Sequence, residues 1–445
     1  MLKRNVTLMA ISLLGISAQA QSNPAITQWM QNTTQIGTYY VSGNSTPISN
    51  NLLVNCQQVE YSATSVYVTA TGIPSYPTGP FLDGNPSNAQ DQSAIFKIPL
   101  NPIQNTGTLT EGGMGNIGVF INGTALFNYA DGVSWDPSTS ALCGGPPGGN
   151  PPCPGAPGSA NWNRDAIPAE MDGFDCSKGH PAMGNYHHHQ NPSAFKLDLN
   201  VISTICNLYD ADGLYAMNST QHSPLIGFAY DGFPIYGAYA YADVNGTGGI
   251  VRMKSSYELS SSTTRANGPN VDATYFNGYF KEDYSFVSHP GNDYLDEHNG
   301  RFCVTPEYPT GIYCYFATVD ENWNSAYPYA VGPTFYGVYS NASVNNISES
   351  TTVYTGTTGI LDTDFESMTV NIFPNPATDL IAIQISGLVK DNLQVNLFDL
   401  SGKLIRNSTI NSGSTIAYFD VQSVYEGTYI IQIENGNNTT ARKVV

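Results

Sequence analysis

Charged side chains make up only 11% of this chain, and positive ones are the scarcer: 16 Lys and Arg stand against 35 Asp and Glu, giving a formal charge of −19. Such a surface repels a phosphate backbone, and no basic stripe offsets it, which excludes nucleic acid as a partner. Long apolar runs are missing too. The most extended one, from Val6 to Ile16, falls short of the ~20 residues a membrane helix needs, so no transmembrane segment is expected. Helical periodicity is weak nearly throughout. There is no Gly-x-Ser-x-Gly elbow, P-loop or His-Glu-x-x-His helix, which removes three well-marked routes to hydrolysis and nucleotide chemistry.

What is present is turn chemistry and aromatic side chains: 43 Gly, 28 Pro and 29 Tyr among 445 residues. That mixture favours short strands joined by many turns, and the length calls for two or three domains. Residues 1–20 read as a signal peptide, with Lys3 and Arg4 ahead of the apolar run and Ala18-Gln19-Ala20 before a mature start at Gln21. Export to an oxidising compartment permits disulfides among the seven cysteines. Cys143 and Cys153 flank a Pro/Gly loop that needs a staple, and Cys303 and Cys314 bracket a turn and are a second possible pair. The odd count leaves at least one thiol free or intermolecular, and connectivity stays open.

The expected fold is all-β, mainly antiparallel and loop-rich: a large β-rich domain followed by a small Ig-like β-sandwich. Residues 21–71 read as a strand segment packing on the main domain, 72–337 as that domain, 338–368 as a Ser/Thr/Asn-rich linker, and 369–445 as the sandwich. In the last of these, Ile381-Ala382-Ile383-Gln384-Ile385 and Leu393 to Leu400 show the inside/outside alternation of half-buried strands.

Four ordered motifs mark residues 369–445: Ile372-Phe373-Pro374-Asn375-Pro376-Ala377, Leu397-Phe398-Asp399-Leu400-Ser401-Gly402-Lys403, Glu426-Gly427-Thr428-Tyr429-Ile430 and Arg442-Lys443-Val444-Val445. The segment resembles the C-terminal sorting domain of the type IX secretion system. That resemblance implies the type IX machinery as a partner and passage across the outer membrane of a Bacteroidota-type cell. Removal of the domain and surface attachment or release would follow.

All seven histidines fall between positions 180 and 298, four of them within ten residues: His180, His187, His188 and His189. On a strand, alternate side chains share a face, so His187 and His189 point one way and His188 the other. Two imidazoles on one face, with Cα atoms about 7 Å apart, can converge on one ion. Zinc and copper are the divalent ions that imidazole suits best. His180, His222 or a carboxylate are candidates to complete the shell. Structural hydrogen bonding and a metal-free catalytic base are the competing readings of the same residues. Asp231, in Tyr230-Asp231-Gly232-Phe233-Pro234, together with Tyr186, Glu297, His298 and Arg301, could line the site or orient its imidazoles; a tight turn and an ion-pair network explain the same residues equally well. Asp210-Ala211-Asp212-Gly213 and Asp243-Val244-Asn245-Gly246 lack the downstream Glu of a calcium loop.

Gly179-His180-Pro181 followed by Gly184-Asn185-Tyr186-His187-His188-His189 resembles the signature of the YHYH-domain family, with His188 where the family has tyrosine. Supporting motifs run from Gly72-Ile73-Pro74 to Pro333-Thr334-Phe335-Tyr336-Gly337 and include His222-Ser223-Pro224 and Asp296-Glu297-His298-Asn299-Gly300-Arg301. The departure at His188 leaves the same-face pair intact. The expectation is therefore a secreted or cell-surface protein with a histidine metal site for copper or zinc. The alternative is a surface protein that contacts glycans or matrix and uses its histidines structurally.

Overall fold

The computed structural model describes residues 23–355 apart from 45, 82–87, 146–148, 156–158, 176, 193–218 and 341, and residues 370–444 apart from 374, 378–379, 386–391, 401, 411–415 and 436–437. The expected signal peptide, Cys176, Cys206, the Asp210–Gly213 motif and the later part of the expected linker lie outside the described residues. Strand accounts for 41% of the structure and helix for 4%, so the all-β expectation holds. Among the described residues the α-helices are single turns, α1 (Pro24–Thr27) and α2 (Ala166–Glu170). The chain divides into two compact units, 1–354 and 355–445.

The strands of the first unit that matter here are β1 (Cys56–Tyr61), β2 (Ser65–Ala70), β3 (Ala94–Pro99), β4 (Asn116–Phe120), β5 (Ala125–Phe127), β6 (His180–Ala182) and β7 (Asn185–His188). They are followed by β8 (Leu225–Ala229), β9 (Pro234–Tyr236), β10 (Gly300–Cys303), β11 (Ile312–Phe316), β12 (Ser343–Val344) and β13 (Thr352–Val353). An eight-stranded sheet runs β6-β7-β5-β4-β8-β9-β11-β10, and a five-stranded sheet runs β12-β3-β2-β1-β13. Pairing is antiparallel except at β7–β5 and β9–β11, which are parallel. Val66 and Val68 from one sheet and Val119, Phe228, Ile235 and Tyr315 from the other belong to one buried cluster. Strands with this many β-branched and aromatic side chains leave water most readily by packing in such a layer. Gly227 is what lets β8 lie close to β4, since a Cβ there would come within 2.6 Å of the Val119 carbonyl oxygen.

Part of the expected linker is strand. Ser343–Val344 pairs with Phe96 and Ile95, and Thr352–Val353 pairs with Tyr61 and Glu60, so residues 343–353 close both edges of the five-stranded sheet. Composition misleads here because an edge strand with a solvated face can be as polar as a linker. The disulfide Cys143–Cys153 is present, whereas Cys303 and Cys314 are buried free thiols, as is Cys56. The possible second pair is therefore not formed. In register, Cys303 faces Ile312 and Cys314 faces Arg301, which sets the two cysteines diagonally on neighbouring strands.

The second unit has two antiparallel sheets. One is β14 (Val370–Phe373), β15 (Leu380–Ile385) and β18 (Ile416–Asp420); the other is β17 (Leu404–Ile410), β16 (Leu393–Asp399), β19 (Tyr429–Asn435) and β20 (Asn438–Val444). Ile381, Ile383 and Ile385 from the first meet Leu393, Val395, Leu397, Ile431 and Ile433 from the second in a core of their own. The period-2 alternation read from the sequence is what produces this inner face. Ile431 is fully buried, and truncating it to alanine should cost about 2–5 kcal/mol. The check is faster amide exchange across Tyr429–Asn435 with protection in β2 and β4 unchanged.

Candidate metal centre

A hairpin builds the histidine cluster. β6 and β7 pair antiparallel with Ala182 opposite Asn185 and His180 opposite His187. The two linking residues, Met183 and Gly184, both have positive φ, 49° and 88°, as the tightest hairpin connection requires. Behind the hairpin lies buried Asp175. It accepts hydrogen bonds from the Tyr186 hydroxyl (2.8 Å) and from the amides of Gly79 (2.9 Å), Ser177 (2.9 Å) and Gly179 (3.1 Å). This fixes the chain entering His180. Burial raises the Asp175 carboxyl to about 7 despite those donors.

Alternation then sorts the side chains. Tyr186 and His188 turn to one face, where the Tyr76 hydroxyl lies 2.7 Å from His188 Nε2 and His188 Nδ1–H donates to the Lys178 carbonyl at 3.0 Å. His188 is fully buried and satisfied, a structural histidine that burial drives down to about 3. His187 and His189 turn to the other face, and their Nε2 atoms lie 3.1 Å apart. His180 joins them across the hairpin, with its Nε2 3.4 Å from His189 Nε2. One nitrogen from each of the three rings lies within 4.8 Å of the others.

The outer nitrogens decide what these inner ones can do. His187 Nδ1 is 2.9 Å from the Asn185 carbonyl, and His189 Nδ1 is 2.7 Å from the Asn128 carbonyl. A carbonyl only accepts, so each Nδ1 carries the ring proton. With both rings neutral their Nε2 lone pairs would face each other, a contact that either a proton on one ring or a cation between them relieves.

Sequence reasoning missed the fourth member. Glu170, at the end of α2, places Oε2 3.2 Å from His180 Nε2 and 3.2 Å from His189 Nε2. The single turn α2 is capped by Asp165, which accepts from the Ile167 amide at 2.9 Å and from the Tyr329 hydroxyl at 2.5 Å. Burial works to raise the Glu170 carboxyl, but the two imidazoles facing it win and hold it well below the usual range. For His189 burial opposes charging, and the Glu170 carboxylate outweighs it, so its proton is held above the ordinary imidazole value. For His187 burial, aided by the two neighbouring imidazoles, pushes the value well down. Phe127 stacks on His187 with ring centroids 3.7 Å apart, and Phe174 stands edge-on to His180 at 4.9 Å. The only hint of Glu170 in the sequence was an acidic residue ten positions before His180.

The other candidates lie elsewhere. His222 precedes β8, which β5 and β4 separate from β7, three strand spacings of about 4.8 Å each. It packs against Tyr236 and Tyr241, and its Nδ1 meets the Ser223 carbonyl at 2.7 Å. Burial lowers it to about 4. Arg301 and His298 belong to β10 and the loop before it, at the opposite edge of the sheet from β6. The Arg301 guanidinium donates to the carbonyls of Tyr241 and Asn292. His298 Nδ1 is 2.8 Å from Thr334 Oγ1, and its Nε2 is 4.0 Å from the exposed Glu297. Asp231 is buried in its turn, accepting from the Tyr315 hydroxyl (2.6 Å) and the amides of Gly337 (2.8 Å) and Phe233 (3.2 Å).

Residues 95–328 match the family model described as YHYH protein. The chain belongs to that family. The match to the YHYH domain takes in α2, the hairpin and Phe127, so the whole centre lies within it. Residues 371–445 match the secretion system C-terminal sorting domain, which implies interaction with the type IX machinery and supports secretion to the cell surface or beyond. No curated protein matches the chain. Among the described residues no helix is long and apolar enough to cross a membrane.

Asp231 gives a pH prediction independent of the centre. Burial raises its carboxyl from 3.8 to about 6. Its contribution is therefore full below pH 3.8 and lost as the pH rises through 6, amounting to roughly 3 kcal/mol between those limits. Asp231→Asn removes this dependence. Urea unfolding at pH 4 to 7 should show the wild type gaining on the variant as the pH falls.

Proposed function

We propose that this exported protein binds a divalent transition ion, copper or zinc, in its YHYH domain through Nε2 of His180, His187 and His189, with Glu170 as the fourth donor. The observation that carries this is the pair of Nε2 atoms at 3.1 Å on rings whose Nδ1 protons are committed to the Asn185 and Asn128 carbonyls. A zinc ion with bonds of about 2.0–2.1 Å to tetrahedral donors spaces those donors about 3.3–3.4 Å apart. Four of the six separations among these donors, 3.1 to 3.4 Å, cluster around that edge length, and the three imidazole donors lie within 4.8 Å of one another. Four protein donors drawn together on an ion would fill a tetrahedral shell, which favours holding an ion over catalysis; a reacting water would need Glu170, the least buried of the four, to give way.

The sorting domain supports an extracellular destination, and residues 1–20 supply a reading of the first step, export through a Sec signal peptide. Backbone carbonyls that fix the imidazole tautomers, and aromatic walls at Phe127 and Phe174 that keep water off the rings, support a built site over a chance cluster.

Elemental analysis of protein purified without a His-tag should find about one equivalent of copper or zinc, lost in His187→Ala/His189→Ala and retained in His222→Ala. No uptake during direct zinc and copper titration would overturn the assignment and favour histidines that serve only as structure. Glu170→Gln should weaken the ion at least about tenfold in a chelator competition. Adding the metal at a hundredfold excess over its Kd should raise unfolding stability by about 2.7 kcal/mol, an effect absent from the double variant.

A further inference from the structure

A cleft of about 290 Å³ opens between the two sheets of the first unit, lined by residues of β3, β4, β5, β7 and β12 and by the segments beside them. None of its thirteen lining residues is ionisable, although the chain carries a net charge of −19. The lining itself offers a ligand no ion pair, the Asp91 carboxylate that accepts from Ser93 Oγ at 3.4 Å lying outside it. What the walls offer is a ring of groups that both donate and accept: Gln92, Ser93, Asn116, Asn185, Ser343 and Asn345. Hydroxyls on adjacent carbons have the same double character and fit such a ring. Of the apolar lining residues Phe96 and Ala125 are buried, while Ile95 and Val344 are partly exposed and offer a small surface to the C–H face of a pyranose. The volume is at the small end of the roughly 300–1,000 Å³ of ligand clefts, enough for one ring with the remainder left in solvent.

We infer that this cleft binds a single neutral sugar unit, recognised end-on at the terminus of a glycan. Asn185 Nδ2 reaches Asn116 Oδ1 at 3.3 Å, near the outer limit of a useful hydrogen bond, so hydroxyls of a ligand can displace that contact at little cost. Gln92 is held more firmly, its Nε2 donating to the Gln90 carbonyl at 2.9 Å. The inference stands apart from the metal reading, since no histidine lines the cleft.

The test uses metal-free full-length mature protein and saturation-transfer NMR. The panel is methyl glucoside, galactoside and mannoside and N-acetylglucosamine, set against glucuronate and glucosamine as charged analogues. The expected result is saturation transfer to at least one neutral ring and weaker transfer to its charged analogue. Affinity should fall at least about tenfold in Asn116→Ala. Ser343→Leu, which fills the mouth from an exposed position, should abolish binding and serves if Asn116→Ala does not fold. Binding of no neutral sugar, binding that survives Ser343→Leu, or equal binding of charged analogues overturns the inference. Because the metal is removed beforehand, the outcome is independent of whether the histidines hold an ion.

Discussion

Two imidazole nitrogens 3.1 Å apart are the constraint around which the site is organised. The Asn185 and Asn128 carbonyls commit one ring proton each of His187 and His189 outward, so the inner nitrogens are left facing each other. The Glu170 carboxylate beside His189 favours a proton on that ring, which satisfies the contact. Every element nearby serves this one point: the hairpin that sets His180 opposite His187, the capped turn that carries Glu170, and the Asp175 carboxylate that anchors the loop behind.

The sequence showed the parts of this that depend on local geometry. A strand has a fixed period of two, so the division of His188 from His187 and His189 could be read directly; Tyr186, offered as a residue lining the site, falls with His188 on the other face and bonds Asp175. Glu170 was not readable, because its position depends on Asp165 meeting Tyr329, a contact spanning 164 residues. His222 misled for a related reason: closeness along the chain says nothing about β4 and β5, which were laid down earlier and separate β8 from the hairpin. The fold class was legible from turn residues and β-branched runs. The strands at Ser343–Val344 and Thr352–Val353 were not, since an edge strand needs few apolar residues to find its partner.

The two units answer different questions. The sorting domain identifies a route and says nothing of chemistry; the YHYH domain gathers its histidine cluster on one hairpin and one helical turn. The odd position in the signature, His188, falls on the face away from the centre and is absorbed by Tyr76 and the Lys178 carbonyl. A change at that position therefore alters how the hairpin is braced and leaves its ligand face as it was.

The hairpin also ends the sheet. β6 is the outermost strand, and Pro181 sits at its middle, paired with Tyr186. A proline has no amide to give, so an incoming strand from a second molecule meets a gap in the row of donors it would need. The residue that follows the first histidine of the hairpin thus also guards one margin of the sheet against pairing with another molecule.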